Sequence, residues 1–328
     1  MRIASLFLML LLQAAAGPAQ SDAPAFDQLA GYFDYPHNSP LDFQQRGVEK
    51  RGNALVIDLE YSGRSRTDHV PAYLVIPAGD GPFAAIIWGH WMMHGSPLRS
   101  RDEFLQEALV LARSGVMSLL IDTPMVRPDY KQKPMQDDPL EWAIQSSEDD
   151  RQMVVDLRRG VDLLLSRQHV DRRRVAYVGH SFSAHAGAIL AAVEKRINCF
   201  VLMTGSFTDE EDVRAAKDGD FFKWREQVGP AKVDQYFRDY AWDDPVNFIT
   251  RTDGKDILLQ FAAGDGITEK QAQQLLSRFS AKDKQMQFYQ AGHALNSAAR
   301  LDRDRWLQQR LKLKKLDEEA LKGIPQLK

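Results

Sequence analysis

Arg174-Val175-Ala176-Tyr177-Val178-Gly179-His180-Ser181-Phe182-Ser183-Ala184-His185-Ala186-Gly187 decides the fold of this chain. Its first five residues are short, mostly apolar and rich in strand formers, the pattern of a strand covered on both faces. The alanine-rich continuation reads as a helix. Between them lies only a sharp turn, whose small residues let strand and helix approach closely. A serine there is held away from the sheet by a strained backbone, near the positive end of the helix. The N–H of the next residue, Phe182, is then available to stabilise an oxyanion. A Gly-Ser loop that merely caps a helix would share so short a pattern, so the rest of the chain must discriminate.

It does so by order. A nucleophilic serine needs a base and the base needs an orienting acid; at a strand-turn-helix elbow they follow as serine, acid, histidine. The apolar run 256–262 leads into Ala263-Gly264-Asp265-Gly266, and the run 285–289 leads into Gln290-Ala291-Gly292-His293. Asp265 and His293 therefore project from strand ends at the sheet edge that carries Ser181. Ser181 is the expected nucleophile, His293 the general base and later acid, and Asp265 its partner.

The remaining runs give the architecture. Segments 83–88, 116–121 and 199–203 resemble 174–178, while 54–60 and 70–76 alternate apolar and polar residues, as in an antiparallel pair near a sheet edge. Helical patterns fall at 102–114, 148–167, 184–195, 269–280 and 297–316. The expectation is an α/β fold with an eight-stranded, mostly parallel sheet and helices on both faces. Two connections are too long for turns: about 124–147, with four prolines, and about 206–254, which carries Phe221, Phe222, Trp224, Tyr236, Phe237, Tyr240 and Trp242. An insertion so aromatic must bury itself, and the carboxyl rim of the sheet is available, so a helical, aromatic cap is expected there. His90, Trp224 and Trp242 are the expected pocket residues.

With these residues in view, the sequence resembles the α/β-hydrolase superfamily, in its bacterial esterase and peptidase-like branch related to dienelactone hydrolases and prolyl oligopeptidase catalytic domains. The resemblance runs from about residue 58 to 316. It includes Val70-Pro71-Ala72-Tyr73-Leu74-Val75-Ile76-Pro77 and Ser118-Leu119-Leu120-Ile121-Asp122-Thr123-Pro124. It implies the same roles for Ser181, Asp265 and His293, and a second oxyanion N–H from Trp91 or Met92. Two departures stand out: Ser183 where the elbow has glycine, and Gly89-His90-Trp91-Met92 where the resemblance leads one to expect His-Gly.

The chain has 328 residues, 44% hydrophobic and 27% charged, with 42 Lys plus Arg against 45 Asp plus Glu and a formal charge of -3. That balance points away from nucleic acid as a partner. A single cysteine, Cys199, rules out an intramolecular disulfide. Arg2, the apolar run 3–12 and Ala14-Ala15-Ala16 read as a cleaved export signal over 1–19, which leaves 20–328 as a single domain. A run of ten residues is about half of the roughly 20 a membrane-spanning helix needs, so no stable membrane anchor is expected. The expected location is periplasmic or extracellular.

His90 and His94 are four apart, but Gly89 and Gly95-Ser96-Pro97 argue against the helix that would pair them on a metal; neither metal nor cofactor is expected. His180 is expected to pack in the elbow, and His185 to be structural. The function that follows is hydrolysis of a small-molecule carboxylic ester through an acyl-enzyme. A serine peptidase or amidase, an acyltransferase and a catalytically silent binding protein of the same fold remain alternatives, and the oligomeric state is open.

Overall fold

The computed structural model describes residues 25–326; the expected export signal at 1–19 lies outside the described residues. The strands are β1 (Gln44–Arg51), β2 (Ala54–Ser62), β3 (His69–Pro77), β4 (Phe83–Gly89), β5 (Val116–Ile121), β6 (Val170–His180), β7 (Cys199–Met203), β8 (Asp256–Ala262) and β9 (Asp283–Tyr289). Helices α1 (Phe26–Gly31), α2 (Leu105–Ala112), α3 (Pro139–Leu165) and α4 (Phe182–Val193) are followed by α5 (Asp209–Ala215), α6 (Gly219–Val228), α7 (Pro230–Asp239) and α8 (Val246–Ile249), then α9 (Glu269–Arg278), α10 (Ser297–Leu311) and α11 (Glu318–Gly323).

The nine strands form one sheet in the order β1-β2-β3-β5-β4-β6-β7-β8-β9. The pairs β1·β2, β2·β3 and β3·β5 are antiparallel, and every pair from β5 through β4 to β9 is parallel. The expected eight strands are all present, and β1 is the ninth. Its sequence, Gln-Gln-Arg-Gly-Val-Glu-Lys-Arg, is exposed along nearly all its length, so no hydrophobic period announces it. Such a charged edge strand also resists pairing with a second chain. Helix α3 begins at Pro139 instead of 148, because Asp138 accepts the N–H groups of Leu140 and Glu141 and the proline occupies the first turn.

Both sheet faces are covered. Residues of α3, α4, α8 and α9 pack with Leu59, Ile87, Tyr177, Phe200 and Leu259 on one face. Those of α2, α10 and α11 pack with Ile86, Val178, Val201 and Leu258 on the other. The central strand β4 is buried at all seven positions, as a strand with helices above and below must be. The chain leaves β4 toward β5 on one side, while β6 leads to β7 on the other. The adjacent carboxyl ends of β4 and β6 thus flank the switch point where open α/β sheets bind ligands. Among the described residues no helix is long and apolar enough to cross a membrane.

Candidate active site

Ser181 follows β6 and opens α4 with φ 55° and ψ -116°, backbone angles costly for a residue with a Cβ. The surroundings hold it there. Its N–H donates to the Met203 carbonyl at 2.8 Å, and its own carbonyl accepts from Ala184 at 2.9 Å and His185 at 3.1 Å. A Cβ on Gly179 would lie 2.4 Å from the Ser183 carbonyl oxygen, and one on Gly187 would lie 2.4 Å from the Tyr177 ring. Glycine is therefore required where strand and helix touch. Ser183, which departs from the usual elbow, is accommodated and used. Its hydroxyl donates to the His90 carbonyl at 2.7 Å, and a Cβ on Gly89 would stand only 2.6 Å from the Ser183 Cβ. The missing side chain at Gly89 makes room for the extra one at Ser183, and the bond ties the elbow to the loop after β4.

Asp265 lies in the turn after β8 and His293 in the loop after β9. His293 Nδ1 is 3.0 Å from Asp265 Oδ1, and both side chains are about a quarter exposed, at 26% and 23%. The two loops are stitched together by the Gly264 N–H, which donates to the Ala291 carbonyl at 2.9 Å. The carbonyl of His293 accepts from His180 Nε2 at 2.9 Å, and the His293 ring lies parallel to the Trp91 ring, 6.3 Å between centroids. Among the described residues no hydrogen bond joins Ser181 Oγ to His293, whose Nε2 is left without a partner. Thr204 and Leu295, at the same rim, share positive φ with Ser181; strain of this kind gathers at functional sites.

The loop after β4 corrects two expectations. The Trp91 N–H donates to Glu103 Oε2 at 2.6 Å and the residue is fully buried, so that N–H is not available to an oxyanion. Of the three expected donors, the N–H groups of Met92 and of Phe182, the first residue of α4, have no partner among the described residues. His90 does not line a pocket. It is 1% exposed, and its Nε2 accepts from the Thr123 N–H at 3.0 Å while Nδ1 lies 2.6 Å from the Trp91 carbonyl. Burial depresses its pKa to about 4, which keeps the ring neutral and suited to both contacts.

Glu103 has no motif around it and escapes sequence reasoning. Its second oxygen lies 2.5 Å from His180 Nδ1. One buried carboxylate thus fixes the Trp91 backbone and, through His180, the carbonyl of His293. His180 packs in the elbow as expected, stacked on Trp91 with centroids 5.0 Å apart.

Beside Asp265 and His293 opens a cavity of about 790 Å³, walled by Phe207, Phe221, Phe261 and Leu275. Glu211, Asp212 and Arg278 stand among its polar lining; Ser181 does not line it. Neither expected tryptophan does. Trp224 is buried with Ala143, Val213, Val233 and Phe237 in a small core between α3 and the helices α5 to α7, and its Nε1 donates to the Pro139 carbonyl at 2.7 Å. Trp242 stacks on Tyr32, centroids 5.0 Å apart, in the main core. The insertion spends most of its aromatics on holding itself down, and offers the cavity Phe207 and Phe221.

Away from this site, Asp150, His185 and Asp243 are the one group among the described residues whose ligand-type atoms converge closely enough to hold a metal ion. His94 is exposed and His90 fully engaged, so that pair brings no such site. Cys199 is buried, and burial pushes its thiol up to about 12, as an inert core residue requires.

The sequence family described as BAAT / Acyl-CoA thioester hydrolase C terminal matches residues 157–297, a span that contains Ser181, Asp265 and His293. No curated protein matches the chain in sequence. Similar solved structures include an acetyl xylan esterase from a Paenibacillus species, with TM-score 0.70 and 18% identity, covering 87% of this chain and 93% of that one. Acetyl xylan esterase 1 from a Thermoanaerobacterium species gives 0.64 and 17%, covering 88% and 93%. A cold-adapted esterase from an Arctic intertidal metagenomic library gives 0.55 and 14%, covering 81% and 97%. The chain has the α/β-hydrolase fold.

Proposed function

We propose that this α/β-hydrolase-fold chain is an exported serine hydrolase that cleaves a small carboxylic ester. The observation that carries the reading is the 3.0 Å pair of His293 and Asp265 at the sheet edge where Ser181 is held at positive φ. Asp265 fixes the proton of His293 on Nδ1 and leaves Nε2 free to act as base. Ser181 Oγ attacks the acyl carbonyl carbon and its proton passes to Nε2, the serine-histidine bond closing as substrate displaces water. The oxyanion lies between the N–H groups of Phe182 and Met92. Collapse expels the alcohol, protonated by His293. Water, deprotonated by the same Nε2, then releases the acid and restores Ser181.

The two unpartnered N–H groups favour a working oxyanion hole over a silent binding protein of the same fold. The apolar cavity wall beside His293 suits a compact acyl or alcohol group. Esters are preferred to amides because the three similar solved structures named above are described as esterases.

Turnover of 4-nitrophenyl esters of graded acyl length by the mature protein and its Ser181→Ala variant tests the reading. Hydrolysis by the first, with a loss of at least about 10³-fold in the second, is expected. Wild-type rates in the variant refute the nucleophile. Absence of turnover and of labelling by a fluorophosphonate supports the silent alternative. Export is tested separately by cell fractionation and the N-terminal mass of the recovered chain.

A further inference from the structure

His185 lies one helical turn beyond Ser181 on α4. Its Nε2 has no hydrogen-bond partner, and neither does Oδ1 of Asp150 on α3 nor Oδ1 of Asp243, in the segment between α7 and α8. All three residues are buried, with 9%, 5% and 8% of their surface exposed. The orphaned atoms face one another: His185 Nε2 is 3.9 Å from Asp150 Oδ1 and 4.0 Å from Asp243 Oδ1. Leaving such groups buried and unpaired is costly, and more so when they are charged. At these separations they are not bonded to each other. They are instead spaced as ligands around a common centre: one ligand atom from each residue lies within 4.8 Å of the others, and nitrogen and carboxylate oxygen bond zinc at roughly 2.0–2.2 Å, about half of such a separation.

The surroundings point the same way. The other ring nitrogen, His185 Nδ1, lies 3.5 Å from Asp209 Oδ2. A carboxylate on that side of the ring favours the tautomer that presents the Nε2 lone pair to a cation. Asp244 belongs elsewhere: its carboxylate accepts the N–H groups of Asp209, Glu210 and Val246, holding the start of α5. The hydroxyls of Ser147 and Tyr236, 2.7 Å apart, complete the polar wall beside Asp243.

We propose that Asp150, His185 and Asp243 form a binding site for a divalent transition-metal ion, with zinc the best match. One imidazole nitrogen and two carboxylate oxygens leave a fourth tetrahedral position for water. The ion would join α3, α4 and the segment after α7, pinning the insertion to the helix that begins at Ser181. The competing account is protonic, a His185 imidazolium neutralised by the surrounding carboxylates. Burial opposes that charge, while Asp150, Asp209 and Asp243 raise the His185 pKa to about 9. Protons alone, however, would draw the groups to hydrogen-bond distance, and they stand apart.

The test uses the mature protein, stripped with EDTA, incubated with zinc sulfate, desalted and assayed by elemental mass spectrometry, with cobalt(II) absorption as a second probe of the ligand set. One zinc per chain and a zinc-dependent rise in Tm are expected. Asp150→Asn and Asp243→Asn, which keep the shape, should each weaken zinc binding at least about tenfold and abolish the rise, and Asp209→Asn should weaken it about 10- to 100-fold by loosening the ring. Folded wild type that retains no zinc, or Asn variants that retain it as wild type does, overturns the proposal. Should the Asn variants fail to fold, the wild-type stoichiometry and Tm shift still decide it.

Discussion

Glu103 offers the sharpest test of how the site is assembled. Replacing it by leucine keeps most of the volume and removes both oxygens, stranding the Trp91 N–H, now bonded at 2.6 Å, and His180 Nδ1, now at 2.5 Å, in a region where both residues are at most 1% exposed. At about 1–3 kcal/mol for each stranded buried group, Glu103→Leu should lose about 2–6 kcal/mol of stability. Catalysis should fall as well. The Trp91 backbone sets the direction of the Met92 N–H, and His180 holds the His293 carbonyl at 2.9 Å, so a loosened loop removes one oxyanion donor, worth about 10²–10³ in kcat. Glu103→Gln makes the claim specific. Its amide oxygen can accept from Trp91 while its NH2 donates to His180 Nδ1, which is possible because His180 Nε2 already donates to His293. Glutamine should therefore restore most of the stability and at least a tenth of the activity. Urea unfolding followed by tryptophan fluorescence, with ester kinetics on the same preparations, measures both. A leucine variant within about 0.5 kcal/mol and twofold of wild type would falsify the bridging role, and so would a glutamine variant as damaged as the leucine one.

Three further outcomes follow from the same geometry. Phe221, 45% exposed on the cavity wall, should control acyl-length preference, so Phe221→Ala should reorder the 4-nitrophenyl ester series, whereas Trp224→Ala should cost about 3–5 kcal/mol by core loss and leave the ranking unchanged; the reverse pattern sinks the cavity assignment. His90, with its pKa depressed from 6.5 to about 4 by burial, binds a proton in the unfolded chain before it does in the folded one. Stability should thus be intact above about pH 6.5 and fall by about 3 kcal/mol as pH drops to 4, a contribution that a His90→Asn variant lacks in parallel urea titrations. A Cβ on Gly264 would sit 2.8 Å from the Ala291 carbonyl oxygen, so Gly264→Ala should separate the Asp265 and His293 loops and lower kcat with little change in KM; unchanged kcat refutes the stitch between them.

The parts legible in sequence are those where one residue type answers one local demand. Short apolar runs became the parallel strands because β4, β6 and β7 are covered on both faces, and Ser181, Asp265 and His293 could be placed because each lies a residue or a few beyond such a run. The missed strand β1 is polar on both faces, since it meets only β2 and solvent. The tryptophans misled for a related reason. A large aromatic residue in an insertion implies burial but not against what, and Trp224 and Trp242 found partners in α3 and the N-terminal segment, elements far from them in sequence.

Glu103 and His90 were illegible in another way. Each acts through contacts with backbone atoms, such as the Trp91 N–H and carbonyl and the Thr123 N–H, and backbone atoms leave no mark in a sequence. The substitutions at the elbow show the same logic reversed. Ser183 looks like a departure when read alone, but in the fold its side chain fills the space that Gly89 leaves empty and bonds the carbonyl of the next residue, His90. An unusual residue at a tight junction is therefore best judged with the position it touches. Here Ser183 and Gly89 together preserve the approach of β4 to α4, on which the placing of Ser181 beside the loop after β4 depends.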